Sequence, residues 1–146
     1  MILDLALAAA LIWAAVIDAK SMILPNFLTL PLIPAGLALA WLQAPDLPAR
    51  LIGAAAGFLV FAGIALLYRK IRGRDGLGLG DAKLLAAAGA WVGWQALPSV
   101  VLIASVGGLG WALITRPSGQ TRIPFGPFLA LGFWLVWRFG ALELIN

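Results

Sequence analysis

The sequence predicts an all-α integral membrane protein: a bundle of six transmembrane helices forming one domain over residues 1–146, with the N-terminus outside and the odd-numbered loops cytoplasmic. Three observations predict it. Of the 146 residues 63% are hydrophobic and 11% charged, with mean hydropathy +1.03, and a water-soluble domain of this length needs a polar exterior that such a composition does not supply. The apolar residues fall into six runs, separated by short segments rich in proline, glycine and charge. The basic residues divide unevenly among those segments: all but Arg50 and Arg138 of the 10 fall in or beside the first, third and fifth, which the positive-inside rule assigns to the cytoplasm.

The first run, Ile2 to Ile17, is rich in Ala and Leu and interrupted only by Asp4. A secretory signal carries a basic stretch before its apolar core, whereas the flanking charge here is acidic, so the run reads as a retained helix. Asp18 closes it, followed by Lys20, and Pro25 is placed to end or restart a helix. The second run, about Phe27 to Leu42, contains Pro31 and Pro34; each removes one ladder donor, which predicts a kink or a late start. Gln43 to Arg50, with Pro45 and Pro48, turns the chain into the third run, Leu51 to Tyr68, where Gly53 and Gly57 have the spacing that lets two helix backbones approach closely. Arg69 to Gly80 is the most polar segment and reads as a loop, with Arg69, Lys70, Arg72, Arg74 and Asp75 among its glycines. Asp81 opens the fourth run, which carries a second close-packing pair at Gly89 and Gly93 and is broken by Pro98. The fifth, Ser99 to Thr115, presents Gly107, Gly108 and Gly110 as a small-residue face. Arg116 to Pro124 leads into the sixth run, which ends near Ile145. At roughly 15 to 22 residues each, the runs approach the ~20 needed to span a bilayer. Trp41, Trp91, Trp94 and Trp137 fall near outer helix ends and Trp13, Tyr68 and Trp111 near inner ones, as interfacial aromatics do.

The sequence has no cysteine and no histidine, which excludes disulfides, thiolate or imidazole metal sites, and imidazole bases. Chemistry is left to carboxylates, lysine, hydroxyls and backbone, and no metal or cofactor is expected. A net charge of +4 would point to nucleic acid in a soluble protein. Basic residues between apolar runs set topology instead, so lipids and no nucleic acid are the expected partners. The topology sends Asp4, Asp46 and Glu143 to the outer face and Asp18, Asp75 and Asp81 to the cytoplasmic face. Asp75, among glycines and basic neighbours, is a solvated charge. Asp18 and Asp81 are each joined directly to an apolar helix that holds them at the bundle mouth, and ionisable groups at membrane depth are functional candidates. Three other readings compete: helix-end aspartates that mark the water boundary or cap a helix, a bundle conducting protons or ions through its carboxylates, and a purely structural subunit. Gly76, Gly78 and Gly80 leave alternate positions of the loop before Asp81 without side chains, so an extended substrate backbone fits against it.

Gly78-Leu79-Gly80-Asp81-Ala82-Lys83-Leu84-Leu85-Ala86-Ala87 resembles the GxGD segment of the type IV prepilin peptidases, bilayer aspartyl proteases that trim the leader of prepilins and pseudopilins. Asp18 with Leu24-Pro25-Asn26-Phe27-Leu28-Thr29-Leu30-Pro31 is similar to the family's other aspartate motif, and Pro124-Phe125-Gly126-Pro127-Phe128-Leu129-Ala130 to its third landmark. The three motifs occur in order over nearly the whole chain. The resemblance implies a prepilin leader peptidase of type IV pilus or type II secretion systems in the bacterial inner membrane, with a prepilin or pseudopilin leader as substrate. It makes Asp18 and Asp81 catalytic, and Gly78, Gly80, Lys83, Pro25 and Asn26 candidates for substrate contact. Longer family members carry an N-terminal part with paired CxxC motifs associated with methylating the new N-terminus. This sequence has no cysteine, so the resemblance is to the short form, without methyltransferase activity. Peptide hydrolysis then rests on two carboxylates sharing a proton, one activating water and one polarising the scissile carbonyl. Asp81 at a helix N-terminus beside Lys83 reads as the base, and Asp18 at a helix C-terminus as the acid.

Overall fold

The computed structural model describes residues 2–21, 26–43, 47–73, 79–115 and 125–140, and every regular element among them is helical. The six apolar runs appear as α1 (Ile2–Ser21), α2 (Asn26–Gln43), α3 (Leu47–Arg72), α4 (Leu79–Val92), α5 (Leu97–Thr115) and α6 (Gly126–Phe139), with one 3-10 turn at Trp94–Ala96. Three of them, over Ile2–Ser21, Leu47–Ile71 and Trp94–Thr115, are long and apolar enough to cross a membrane, and Asn26–Leu42 and Gly126–Phe139 are shorter apolar helices.

Several boundaries differ from expectation, each for a local reason. Helix α1 runs past Asp18 to Ser21, whose hydroxyl donates back to the Ile17 carbonyl at 2.7 Å. Helix α2 starts at Asn26 and continues through Pro31 and Pro34, so there is no late start. The segment expected to loop from Arg69 is helical to Arg72, because Arg, Lys and Ile sustain a helix. It stops at Gly73, whose φ of +70° suits glycine and few other residues. Pro98 does not break α4. The break comes earlier, at Gly93 with φ +86°, and Pro98 falls at the second residue of α5, where a missing N–H costs little. Helix α6 ends at Phe139 and is followed by Gly140; Ile145 lies outside the described residues.

Packing alternates in direction. Gly53 of α3 lies against Gly89 of α4, and Gly57 against Leu85, so these two helices are antiparallel and share the glycine contacts that the spacing predicts. Helices α2 and α4 run parallel, since Asn26 meets Lys83 and the Leu32 carbonyl accepts from Trp91 Nε1 at 2.7 Å. Helices α5 and α6 are antiparallel, Gly107 meeting Phe128 and Gly132 meeting Val100. Asp4 Oδ1 accepts from Trp137 Nε1 at 3.0 Å while Asp18 reaches Gly126, which makes α1 antiparallel to α6. One end of the bundle therefore gathers the C-termini of α1, α3 and α5 with the N-termini of α2, α4 and α6.

Helix α4 is the centre. Ala82 and every residue from Leu84 to Trp91 are buried, and a helix covered on all sides belongs inside a bundle. Its small side chains Ala86, Ala87, Ala88, Gly89 and Ala90 let α2, α3 and α6 close around it. Trp91 is correspondingly not interfacial: it is 3% exposed and edge-on to Trp137 at 5.1 Å between centroids.

Candidate active site

Asp18 projects from the last turn of α1 into the bundle and is 5% exposed. Its Oδ2 accepts a hydrogen bond of 3.0 Å from the backbone N–H of Gly126, the first residue of α6. Asp81, third residue of α4, is 9% exposed. Both carboxylates are thus withdrawn from bulk solvent.

The register places them at one level. Gly57 faces Leu85 in the antiparallel α3–α4 pair, so Phe61, one turn further along α3, comes opposite Asp81. The Phe61 ring packs on Phe125, with centroids 6.2 Å apart, and Phe125 precedes the Gly126 N–H that holds Asp18. A second link comes through α2. Lys83 Nζ donates to Asn26 Oδ1 at 2.9 Å, tying α4 just beyond Asp81 to the first residue of α2, five residues after Ser21. Five extended residues span at most about 18 Å, so this end of α2 stays close to the end of α1 that carries Asp18.

Among the candidates for substrate contact, Asn26 and Lys83 are brought together, and each is the other's hydrogen-bond partner. Gly80 is in the first turn of α4 and half-buried. Pro25 and Gly78 lie outside the described residues, as do Gly76, Asp75 and Pro124. Gly126 is the residue that sequence reasoning quoted without giving it a role. Its signal was local: Phe125 has no side-chain acceptor to cap α6 and Pro127 has no N–H, which leaves the Gly126 and Phe128 donors of the first turn for partners from elsewhere. Asp18 supplies it. Asp18 therefore faces a helix N-terminus just as Asp81 lies in one, and helix ends give no basis for dividing acid and base roles between them.

An apolar cavity of about 330 Å³ opens along the seam of α1 and α6, lined by residues that include Leu11, Ala15, Pro127, Ala130 and Trp134. Ala15 is about one turn before Asp18 and Pro127 follows Gly126, but neither Asp18 nor Gly126 lines the cavity. Among the described residues no group of three or more His, Cys, Asp or Glu is arranged to hold a metal ion.

The sequence profile of the type IV leader peptidase family matches residues 5–113. The chain belongs to that family. It is 49% identical over 131 residues to a prepilin leader peptidase/N-methyltransferase of Burkholderia pseudomallei (strain 1026b), covering 86% of this chain and 42% of that protein. It is 47% identical over 126 residues to the protein of the same description from Escherichia coli (strain K12), covering 81% of this chain and 54% of that one, and 49% identical over 123 residues to that of Dickeya chrysanthemi, covering 80% and 43%. The chain spans about half the length, or less, of the curated relatives it matches. No solved structure matches it. As a type IV leader peptidase family member with several apolar helices, it is a multi-pass membrane protein.

Proposed function

We propose that the chain is an aspartyl endopeptidase that removes the leader of type IV prepilins or pseudopilins at the cytoplasmic face of the bacterial inner membrane. The observation that carries this reading is a pair of buried carboxylates, Asp18 and Asp81, contributed by different helices at one level of the bundle. Two carboxyl groups that share one proton do both halves of peptide hydrolysis. The ionised member takes a proton from water as the water oxygen bonds to the scissile carbonyl carbon. The protonated member donates to the carbonyl oxygen; the proton taken from water then passes to the leaving amine as the carbon–nitrogen bond breaks, and the diol hydroxyl returns its proton to the second carboxylate as the carbonyl re-forms. Burial limits competition from bulk water for these hydrogen bonds.

A bundle conducting protons or ions needs carboxylates staggered through its depth. The described acids stand instead at its two ends, Asp18 and Asp81 at one and Asp4, bonded to Trp137, at the other. The test is direct: the purified chain in lipid vesicles is expected to cut a pilin precursor at the leader junction, with the new N-terminus read by mass spectrometry. An intact, folded protein that leaves the precursor whole overturns the reading. No methyl group is expected on the product, since the sequence lacks the cysteine motifs associated with that activity.

The proposed topology has six crossings with both termini outside. The alternating helix contacts support it, because they gather Lys20, Arg69, Lys70 and Lys83 at the end that carries Asp18 and Asp81, and Arg50 and Arg138 at the other. Reporter fusions after Lys70 and Arg116 are expected to report cytoplasm, and fusions after Pro45 and at the C-terminus the outer side. A cytoplasmic C-terminus would mean an odd number of crossings.

A further inference from the structure

We propose that Gly126 is a positioning residue: its backbone N–H fixes the Asp18 carboxylate, and its missing side chain is what makes room for it. The kinetic part rests on the peptidase reading above; the geometry does not. A Cβ built on Gly126 would stand 2.5 Å from Asp18 Oδ2 and 2.8 Å from its Cγ, so any other residue displaces the carboxylate it should hold. The donor is equally specific. Gly126 is the first residue of α6, its N–H has no partner within the helix, the preceding Phe125 makes no side-chain cap, and Pro127 adds no competing donor. Asp18 thus caps α6 from another helix, and α6 in return orients Asp18.

The turn that presents this N–H is held from two sides. Phe125 packs on Phe61 of α3 and lies over Gly108 of α5, while the Phe128 ring fits against Gly107. Of the α5 glycines that read as a small-residue face, Gly107 and Gly108 seat these two rings, and Gly110 has nothing within 4 Å of where a Cβ would be. Helices α3 and α5 thereby determine where the Gly126 donor points, and α3 also sets the level of Asp81 through the Gly57–Leu85 contact. One element thus relates the two carboxylates.

Two measurements test this. In the full chain in detergent micelles, the Gly126 amide proton resonance is expected to move with pH, and the movement to vanish in Asp18→Asn. A resonance that does not titrate, or titrates unchanged in Asp18→Asn, overturns the assignment, whatever the protein's activity. In the cleavage assay Gly126→Ala is expected to lower kcat about 100-fold, the scale of a misplacement near 1 Å, with KM changed by no more than about twofold and the kcat–pH profile displaced. Gly132→Ala is the control: on the same helix its Cβ would press on the Val100 carbonyl at 2.6 Å, far from Asp18. It is expected to lose thermal stability while losing far less kcat per folded molecule than Gly126→Ala and keeping the wild-type pH profile. Equal kcat losses in both variants, or wild-type kcat in Gly126→Ala, would reduce Gly126 to a packing residue. Activity surviving in Asp18→Asn would instead remove the two-aspartate reading of the site, leaving the resonance titration to decide the positioning.

Discussion

Asp18→Asn is expected to fold, to insert in membranes and to lose leader cleavage by a factor on the order of 10³ or more, the scale of removing a general acid–base group. The substitution is chosen because Asp18 has two separable jobs. As an acceptor for the Gly126 N–H at 3.0 Å it caps α6, and an asparagine carbonyl oxygen accepts the same bond, so the cap survives. In the proposed role, as an ionisable group sharing a proton with Asp81, it has no substitute in asparagine. Asp18→Ala removes both functions and is expected to cost about 1 kcal/mol of stability in addition. Asp81→Asn is expected to match Asp18→Asn in activity, and Asp→Glu at either position to be poorly tolerated, because one extra methylene moves the carboxylate by more than the shared geometry allows. Circular dichroism and thermal unfolding establish that each variant is folded; mass spectrometry of the precursor reads cleavage. Asp18→Asn protein that is folded and fully active would mean that Asp18 is a helix cap and nothing more.

Number and order of the described helices were legible, because proline, glycine and charge interrupt the apolar runs between them. Which run lies innermost was not. Hydrophobicity separates water from lipid but not lipid from protein interior, so the run that became α4 looked like the other five. Its run of small residues, Ala86 to Ala90, was the only hint that neighbours close in on it. Trp91 was misread for the same reason: indole suits an interface, but its N–H is equally satisfied inside by the Leu32 carbonyl. The two aspartates stood out because acids are rare at membrane depth. The Asp18–Gly126 bond joins residues 108 apart in sequence, and no local pattern encodes such a register. Lys83 and Asn26 were legible as motif residues only, since a bond across 57 positions likewise requires the parallel seating of α2 on α4.

Gly89→Val is expected to unfold the protein or to destabilise it beyond the usual overpacking cost of about 1–3 kcal/mol. At most crowded sites a side chain rotates away. Here the obstacle is backbone: a Cβ on Gly89 would overlap the carbonyl of Gly53, and one on Gly53 would stand 2.6 Å from the Gly89 carbonyl oxygen. Neither helix yields without moving as a whole, and α4 cannot move because α2 and α6 pack on its other sides. Gly63 provides the comparison within α3, since nothing lies within 4 Å of where its Cβ would be. Gly63→Ala is expected to raise stability by about 0.5–1 kcal/mol, by restricting the unfolded chain and favouring the helix. Thermal unfolding in detergent compares the two. The consequence reaches the candidate site, because the same α3–α4 register that seats Gly53 on Gly89 sets Phe61 opposite Asp81. A milder Gly89→Ala variant that folds is therefore expected to lose cleavage activity as well as stability, and Gly63→Ala to lose neither. Wild-type thermal stability in Gly89→Val would show that α3 and α4 do not pack through these glycines, and with that the common level of Asp18 and Asp81 would lose its main support.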